Sequence, residues 1–182
     1  MKNLKDIISE KLTINKGAKF NKYNYQPKDR KELQNLVKKL VHERGNDADL
    51  NDIDTSEITD MSGLFTNLDL KKFDGNISKW DVSNVKDMSM MFRYTNFSGE
   101  NSDLSKWDVS NVGDVHGMFE GCPFNGDLSK WNVSNINNIA AMFKDSKFDG
   151  DINSWNISNV KNTYKFLDGS PLENHPPKWY KN

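Results

Sequence analysis

The stretch WNVSNINNIAAMF, from Trp131 to Phe143, is one of four nearly identical phrases in the chain. WDVSNVKDMSMMF opens at Trp80, WDVSNVGDVHGMF at Trp107 and WNISNVKNTYKFL at Trp155, while IDTSEITDMSGLF from Ile53 is an earlier copy with Ile in place of Trp. Self-similarity at a fixed period marks a repeat architecture, each copy being one structural unit. Successive Trp residues lie 27, 24 and 24 positions apart. The longer spacings have local causes, three extra residues between Phe65 and Phe73 and three between Gly99 and Leu104, so the basic unit is 24 residues.

Within a unit the apolar residues change period. Leu128, Trp131 and Val133 fall at positions 1, 4 and 6 and are followed by Asn135, close to the LxxLxLxxN order of leucine-rich repeats, which predicts a short strand at Trp131–Val133. Ile136, Ile139, Met142 and Phe143 then stand at offsets 0, 3, 6 and 7, as one helical face requires. A Phe and a Gly two residues later (Phe97 and Gly99, Phe124 and Gly126, Phe148 and Gly150) predict the return bend, with Gly supplying a positive φ. Burial of one unit's few apolar side chains cannot offset the cost of ordering 24 residues. Stacked units share their apolar faces, so the Trp, Met and Phe columns are predicted core rows. Asn84, Asn111, Asn135 and Asn159 are predicted to form a buried ladder bonded to the backbone of adjacent coils.

The expected fold is therefore an α/β repeat, a short leucine-rich-repeat-like right-handed solenoid with parallel strands. Residues 1–26 form an extended N-terminal arm, 27–45 a capping helix, 46–168 five coils and 169–182 a C-terminal cap or tail. The helix follows from Leu33, Leu36, Val37, Leu40 and Val41 on one stripe, with Gly45 as its stop. Pro171, Pro176 and Pro177 end the repeat pattern, and Trp179 or Tyr180 folds back over the last coil.

Composition narrows the function classes. The chain has 182 residues, enough for one folded body, with 28% charged and 35% hydrophobic side chains and a mean hydropathy of -0.81. The bulk of the core comes from 10 Phe, 7 Met and 5 Trp. No stretch approaches a membrane span, and the start MKNLKDIISEKL lacks the apolar run of a Sec signal, so a phage virion or the bacterial cytoplasm is the expected setting. The single Cys122 excludes an intrachain disulfide. His42, His116 and His175 show no metal-ligand spacing, and no phosphate loop or nucleophile elbow occurs. Acidic turns such as Phe148-Asp149-Gly150-Asp151 admit calcium, but turn chemistry accounts for them. No enzyme activity, cofactor or metal is expected.

Charge is unevenly spread. Residues 1–44 hold 12 Lys and Arg against 5 Asp and Glu, net +7, leaving 13 against 21, net -8, for the remainder. In the arm, Lys16, Lys19 and Lys22 alternate with Phe20, Tyr23 and Tyr25, and Leu4, Ile7, Ile8 and Leu12 fall on one helical stripe. These ten residues are the expected docking contacts to a larger protein assembly. Dispersed Lys and the lack of Arg in the arm make nucleic acid the weaker host.

A second candidate surface is the residue between Trp and Val in each phrase, which alternation turns outward: Asp54, Asp81, Asp108, Asn132 and Asn156. Lys79, Lys106 and Lys130, two residues before Asp81, Asp108 and Asn132, offset the repulsion of the carboxylates. The row reads either as a self-compensated solvated face or as a polar recognition face for a protein or glycan.

Across residues 53–167 the recurring W[DN][VI]SN[VI] and MF phrases resemble the BspA-like leucine-rich-repeat group of bacterial surface proteins, which includes mycoplasma lipoproteins and proteins of gut bacteria and their phages. The resemblance implies an adhesion or recognition module without catalysis. The chain departs from it in lacking a lipobox cysteine. The opening SEKLTINKGAKFNKYNYQP also resembles leader segments of short repeat proteins in gut Bacteroidales and their phages. The expected function is a structural or recognition component anchored by its arm to a phage virion or cell-surface structure. A free adhesin or effector binding host protein or glycan is the alternative, and a nucleic-acid-binding protein using the basic arm comes after it.

Overall fold

The computed structural model describes residues 22–66 and 69–181. Among the described residues one α-helix, α1, spans Arg30–Arg44, and one 3-10 turn spans Pro171–Asn174. Asp29 caps α1 by accepting the Glu32 N–H at 2.8 Å, and Gly45 (φ 94) ends it. Leu33, Val37, Leu40 and Val41 bury its apolar stripe.

The expected α/β solenoid with parallel strands is not what forms. Among the described residues there is no strand and no sheet, only isolated parallel bridges: Tyr25 to Ile53, Asp49 to Asn76, and the series Asp60, Asp87, Asp114, Asn138, Asn162. Trp131–Val133 is a corner between two turns, because Trp131 N–H returns to the Leu128 carbonyl and Ile136 N–H to that of Val133. Nor is Ile136–Phe143 helical. Ala141 sits at φ 52 and Asp145 at φ 54, a left-handed conformation that neither helix nor strand accommodates. The same place in the other units holds Gly63, Met90, Gly117 and Lys165, all with positive φ. Tight turns set the 0, 3, 6, 7 spacing that mimics a helix.

Asx turns explain why the units fold through corners. In the fourth unit the side-chain oxygens of Asp127, Asn132 and Asn138 accept the backbone N–H two residues on, from Ser129, Ser134 and Ala140. Asp103, Asp108 and Asp114 do the same in the third, and Asn76, Asp81 and Asp87 in the second. Asp and Asn interchange along these columns because either presents the Oδ1 acceptor that the turn needs.

Units stack through a backbone ladder. Met88, Met90, Phe92 and Tyr94 donate to the carbonyls of Asp114, His116, Met118 and Glu120 at 2.8 to 2.9 Å. Ile139, Ala141, Phe143 and Asp145 repeat the pattern onto Asn162, Tyr164, Phe166 and Asp168. The intervening N–H groups close turns within the unit, such as Met91 to Met88 and Arg93 to Met90. Asn84, Asn111, Asn135 and Asn159 donate to the carbonyls of Ser56, Ser83, Ser110 and Ser134 in the preceding unit at 2.6 to 2.8 Å, but from exposed positions and not the buried ones expected.

Inside, two Phe columns run the length of the stack. Phe92, Phe119 and Phe143 follow one another at 5.6 and 5.9 Å, Phe97, Phe124 and Phe148 at 6.1 and 6.3 Å, all stacked with nearly parallel planes. Gly126 and Gly150 serve these rings and not a positive φ. A Cβ at either would lie 2.7 Å from its own unit's Phe124 or Phe148 ring. Trp80, Trp131 and Trp155 are buried and donate their indole N–H to the carbonyls of Leu50, Leu104 and Leu128. Trp107 is the exception, its indole nitrogen buried without a partner.

Both ends are closed by chain from outside the five units. At the N-terminal end α1 reaches the first unit through Arg30 Nε to the Ser62 carbonyl and Gln34 Nε2 to that of Leu64. At the other end Trp179 donates to the Ile152 carbonyl at 2.8 Å and stacks on Trp155, continuing the Trp column.

Candidate functional site

The outward row comes from the second Asx turn of each unit. Asp81, Asp108, Asn132 and Asn156 are exposed and Asp54 is half-buried. Their Oδ1 atoms accept the N–H groups of Ser83, Ser110, Ser134, Ser158 and Ser56 at 3.0 to 3.2 Å. Ser83 and Ser134 add their hydroxyls at 2.6 and 2.7 Å. Each side chain is thus fixed by its own turn. The row passes from carboxylates to amides along the stack.

Lys79, Lys106 and Lys130 are exposed beside this row but form no ion pair with it among the described residues. Lys106 and Lys130 act instead on Asp103 and Asp127, the first Asx carboxylates of their units. Hydrogen bonds from Ser105, Ser110, Ser129 and Asn153 hold Asp103, Asp108, Asp127 and Asp151 below the usual carboxylate range, the Lys charges adding less.

A charge network crosses three units next to the ladder. Burial pushes the Glu120 carboxyl upward, and hydrogen bonds from Arg93, Tyr94 and Lys144 outweigh it and bring the group below its ordinary value. Arg93 Nε lies 2.6 Å from Glu120 Oε2 and the Tyr94 hydroxyl 2.8 Å from Oε1. The buried carboxylate is fully paired and is architecture.

Of the ten expected docking residues, Leu4, Ile7, Ile8, Leu12, Lys16, Lys19 and Phe20 lie outside the described residues. Lys22 is exposed and Tyr23 half-buried, with the Lys22 ammonium 5.0 Å from the Tyr23 ring centre. Tyr25 packs against the core, and its carbonyl accepts from Asp54 N–H at 2.8 Å. Arg44 lies over the Tyr25 ring and pairs with both oxygens of Asp52, which also takes a bond from Asn24. Asn24 and Tyr25 therefore begin the stack. Their signal in the sequence is the aromatic residue 28 positions before Ile53.

Cys122 is 1% exposed, and desolvation by burial pushes its thiol up to about 11, so it stays protonated at neutral pH. His116 lies 2.9 Å from Asp114 and His175 3.0 Å from Asp149. Among the described residues no group of three His, Cys, Asp or Glu side chains is placed to hold a metal ion, and no helix is long and apolar enough to cross a membrane. A hollow of about 730 Å³ beside α1 is lined by Lys38, Lys39, His42, Asn46 and Asp69, with Lys38 paired to Asp69.

No curated protein and no solved structure matches the chain. A family described as "Mycoplasma protein of unknown function, DUF285" matches it twice, over residues 31–123 and 93–180. The two matches overlap within the stack and together take in α1 from its second residue, every unit and the terminal Trp179. The matches together cover most of the chain, and the chain belongs to the DUF285 family of mycoplasma proteins.

Proposed function

We propose that the protein is a non-catalytic recognition component that presents the outward Asp, Asn and Lys rows to a protein or glycan while its N-terminal segment holds it to a larger assembly, such as a phage particle or a cell-surface structure. One observation carries this reading. Asp81, Asp108, Asn132 and Asn156 recur on one exposed corner at the repeat spacing, each fixed by an Asx turn. Side chains already ordered lose little entropy on binding, which favours recognition.

The test is cross-linking mass spectrometry of purified particles or envelopes, combined with a variant that carries Asp81→Asn and Asp108→Asn. Asn retains the turn and removes the charge, so the fold is kept. Binding to the cross-linked partner should weaken about tenfold, the loss of roughly 1.4 kcal/mol. Unchanged binding would move the recognition surface elsewhere. Free protein with no partner in particles or envelopes would favour the second reading, a free adhesin or effector.

A further inference from the structure

The ladder that joins the units is finished differently at its two ends. In later units the carbonyls of Ser89 and Met91 take N–H groups from Gly63 and Phe65. Their counterparts in the first unit, Ser62 and Leu64, take side-chain donors from α1 instead. At the C-terminal end the donors that match Ile139, Ala141, Phe143 and Asp145 are Thr163, Lys165, Leu167 and Gly169. Only Gly169 has an acceptor, the Glu173 carboxylate at 2.8 Å. The N–H groups of Thr163, Lys165 and Leu167 have none among the described residues. The Lys161 carbonyl lacks a donor too, whereas the matching carbonyl of Asn137 receives both Lys161 and Asn162.

Trp179 and Tyr180 cover Trp155 and Phe166 but leave this edge uncovered. Residues 161–165 are all exposed, Tyr164 to 68%. An edge with alternate unpaired N–H groups is a template for an added chain.

We propose that this edge is a docking site for an extended acidic segment of a partner protein, whose backbone adds one more row to the ladder. The segment must offer carbonyls on alternate residues to Thr163, Lys165 and Leu167 and one N–H to Lys161, as the fifth unit does for the fourth. Its acidic character follows from Lys161 and Lys165, which flank the open donors with no carboxylate paired to them among the described residues. Glu173 already satisfies the last donor of the row with a carboxylate. A second copy is disfavoured because α1 occupies the acceptor row that would meet this edge. Residues 1–21, rich in Lys, have the wrong charge for it. This surface is separate from the Asp and Asn corner, so either proposal can fail without the other.

The probe is a blocked peptide copying Gly113–Gly121, GDVHGMFEG, which carries Asp114 and Glu120 and has Gly at both left-handed positions. Its control has both acids replaced by Lys. Amide exchange is followed by NMR on the full chain with and without each peptide. In the free chain Thr163 and Lys165 should exchange rapidly while Gly117 and Ala141 are protected. The acidic peptide should slow Thr163 and Lys165 by about tenfold or more, and the Lys peptide should not. Thr163→Pro removes a donor that the fold does not use and should weaken peptide binding with the melting midpoint kept. If that variant misfolds, the wild-type exchange data decide alone. Four outcomes overturn the proposal: protection of Thr163 and Lys165 in the free chain at any concentration, which means that its own segment or a second copy holds the edge; equal binding of the two peptides; protection that maps elsewhere; or no protection with millimolar peptide.

Discussion

Trp179 repeats Trp155 one unit later: the two indoles stack at 6.5 Å with 12° between their planes, and each donates its N–H to a carbonyl 27 residues back, Ile152 and Leu128 respectively. The C-terminal residues thus supply the first part of a sixth unit. Trp179→Ala should destabilise the protein by about 2–4 kcal/mol, and Trp131→Ala in the middle of the stack by about 3–5 kcal/mol, as large-to-small changes in a packed interior. Urea unfolding measures both. A Trp179→Ala protein as stable as wild type would mean that the last Trp closes nothing.

Ala141 occupies a left-handed position at φ 52 where the third unit has Gly117 and the first Gly63. Ala141→Gly should relieve backbone strain and stabilise by about 0.5–1 kcal/mol, and Gly117→Ala should cost a similar amount. The Cβ added at Gly117 would meet Glu120 Oε2 at 3.4 Å and Met90 Cγ at 3.6 Å, ordinary contacts, so the expected cost is conformational. Thermal or urea unfolding of the pair gives the signs. A destabilised Ala141→Gly would place the strain elsewhere.

How much of this was legible beforehand differs by level. The 24-residue unit, the Trp and Phe columns and the apolar stripe of α1 follow from periodicity, because a stacked repeat forces equivalent residues into equivalent burial. The local conformation did not follow. Ile136, Ile139, Met142 and Phe143 carry a helical period, yet an Asx turn at Asn138 and a left-handed Ala141 bring the same side chains inward through corners. The signal for this is the Asp/Asn-x-Ser triplet recurring one to three times per unit, a turn device with its own chemistry. That Trp179 or Tyr180 folds back over the last coil follows from the sequence, but the intervening prolines hide that Trp179, 24 residues after Trp155, continues the Trp column. Of the outward row, exposure was readable from alternation, whereas the Ser105 hydrogen bonds that hold Asp103 low depend on corners that no strand would make.

Acid should loosen the stack. Asp103, Asp108, Asp127 and Asp151 have folded-state carboxyls held below their unfolded values by turn hydrogen bonds. A depressed pKa means that protons bind more readily to the unfolded chain, so the stabilisation is complete above about pH 4 and is lost as pH falls through the folded values. The urea midpoint should fall steadily below about pH 4. Asp108→Asn keeps the acceptor and should flatten part of that slope. An unchanged midpoint down to about pH 2 would show that the turns do not depend on ionised acceptors.

Residues 1–21 and Tyr25 should separate in their effects. Tyr25 is part of the first bridge and lies under Arg44, so Tyr25→Ala should cost about 1–3 kcal/mol through lost packing. Deleting residues 1–21 should leave the unfolding midpoint where it is and abolish incorporation into the parent assembly. If the truncated protein melts much earlier in isolation, the segment belongs to the stack and the docking role of Leu4, Ile7, Ile8 and Leu12 loses its support.

The four ladder bonds between the second and third units all point the same way, N–H toward the C-terminal neighbour, and outnumber the return bonds, from Gly113 and more weakly Asp114 to Lys86 and from Asn125 to Ser98. Peptide dipoles so aligned cancel only in part. The excess of ladder bonds leaves the stack electrically polar along its length, with partial negative charge at the α1 end and partial positive charge at the other, the same sense of effect as at the ends of an α-helix but weaker. Arg30 at the carbonyl end and Glu173 at the N–H end are each of the sign that this field favours. Reversing either charge, by Arg30→Glu or Glu173→Lys, should lower the urea midpoint more at low than at high ionic strength, while an added 24-residue unit in the middle would lengthen the dipole and leave both terminal charges in place.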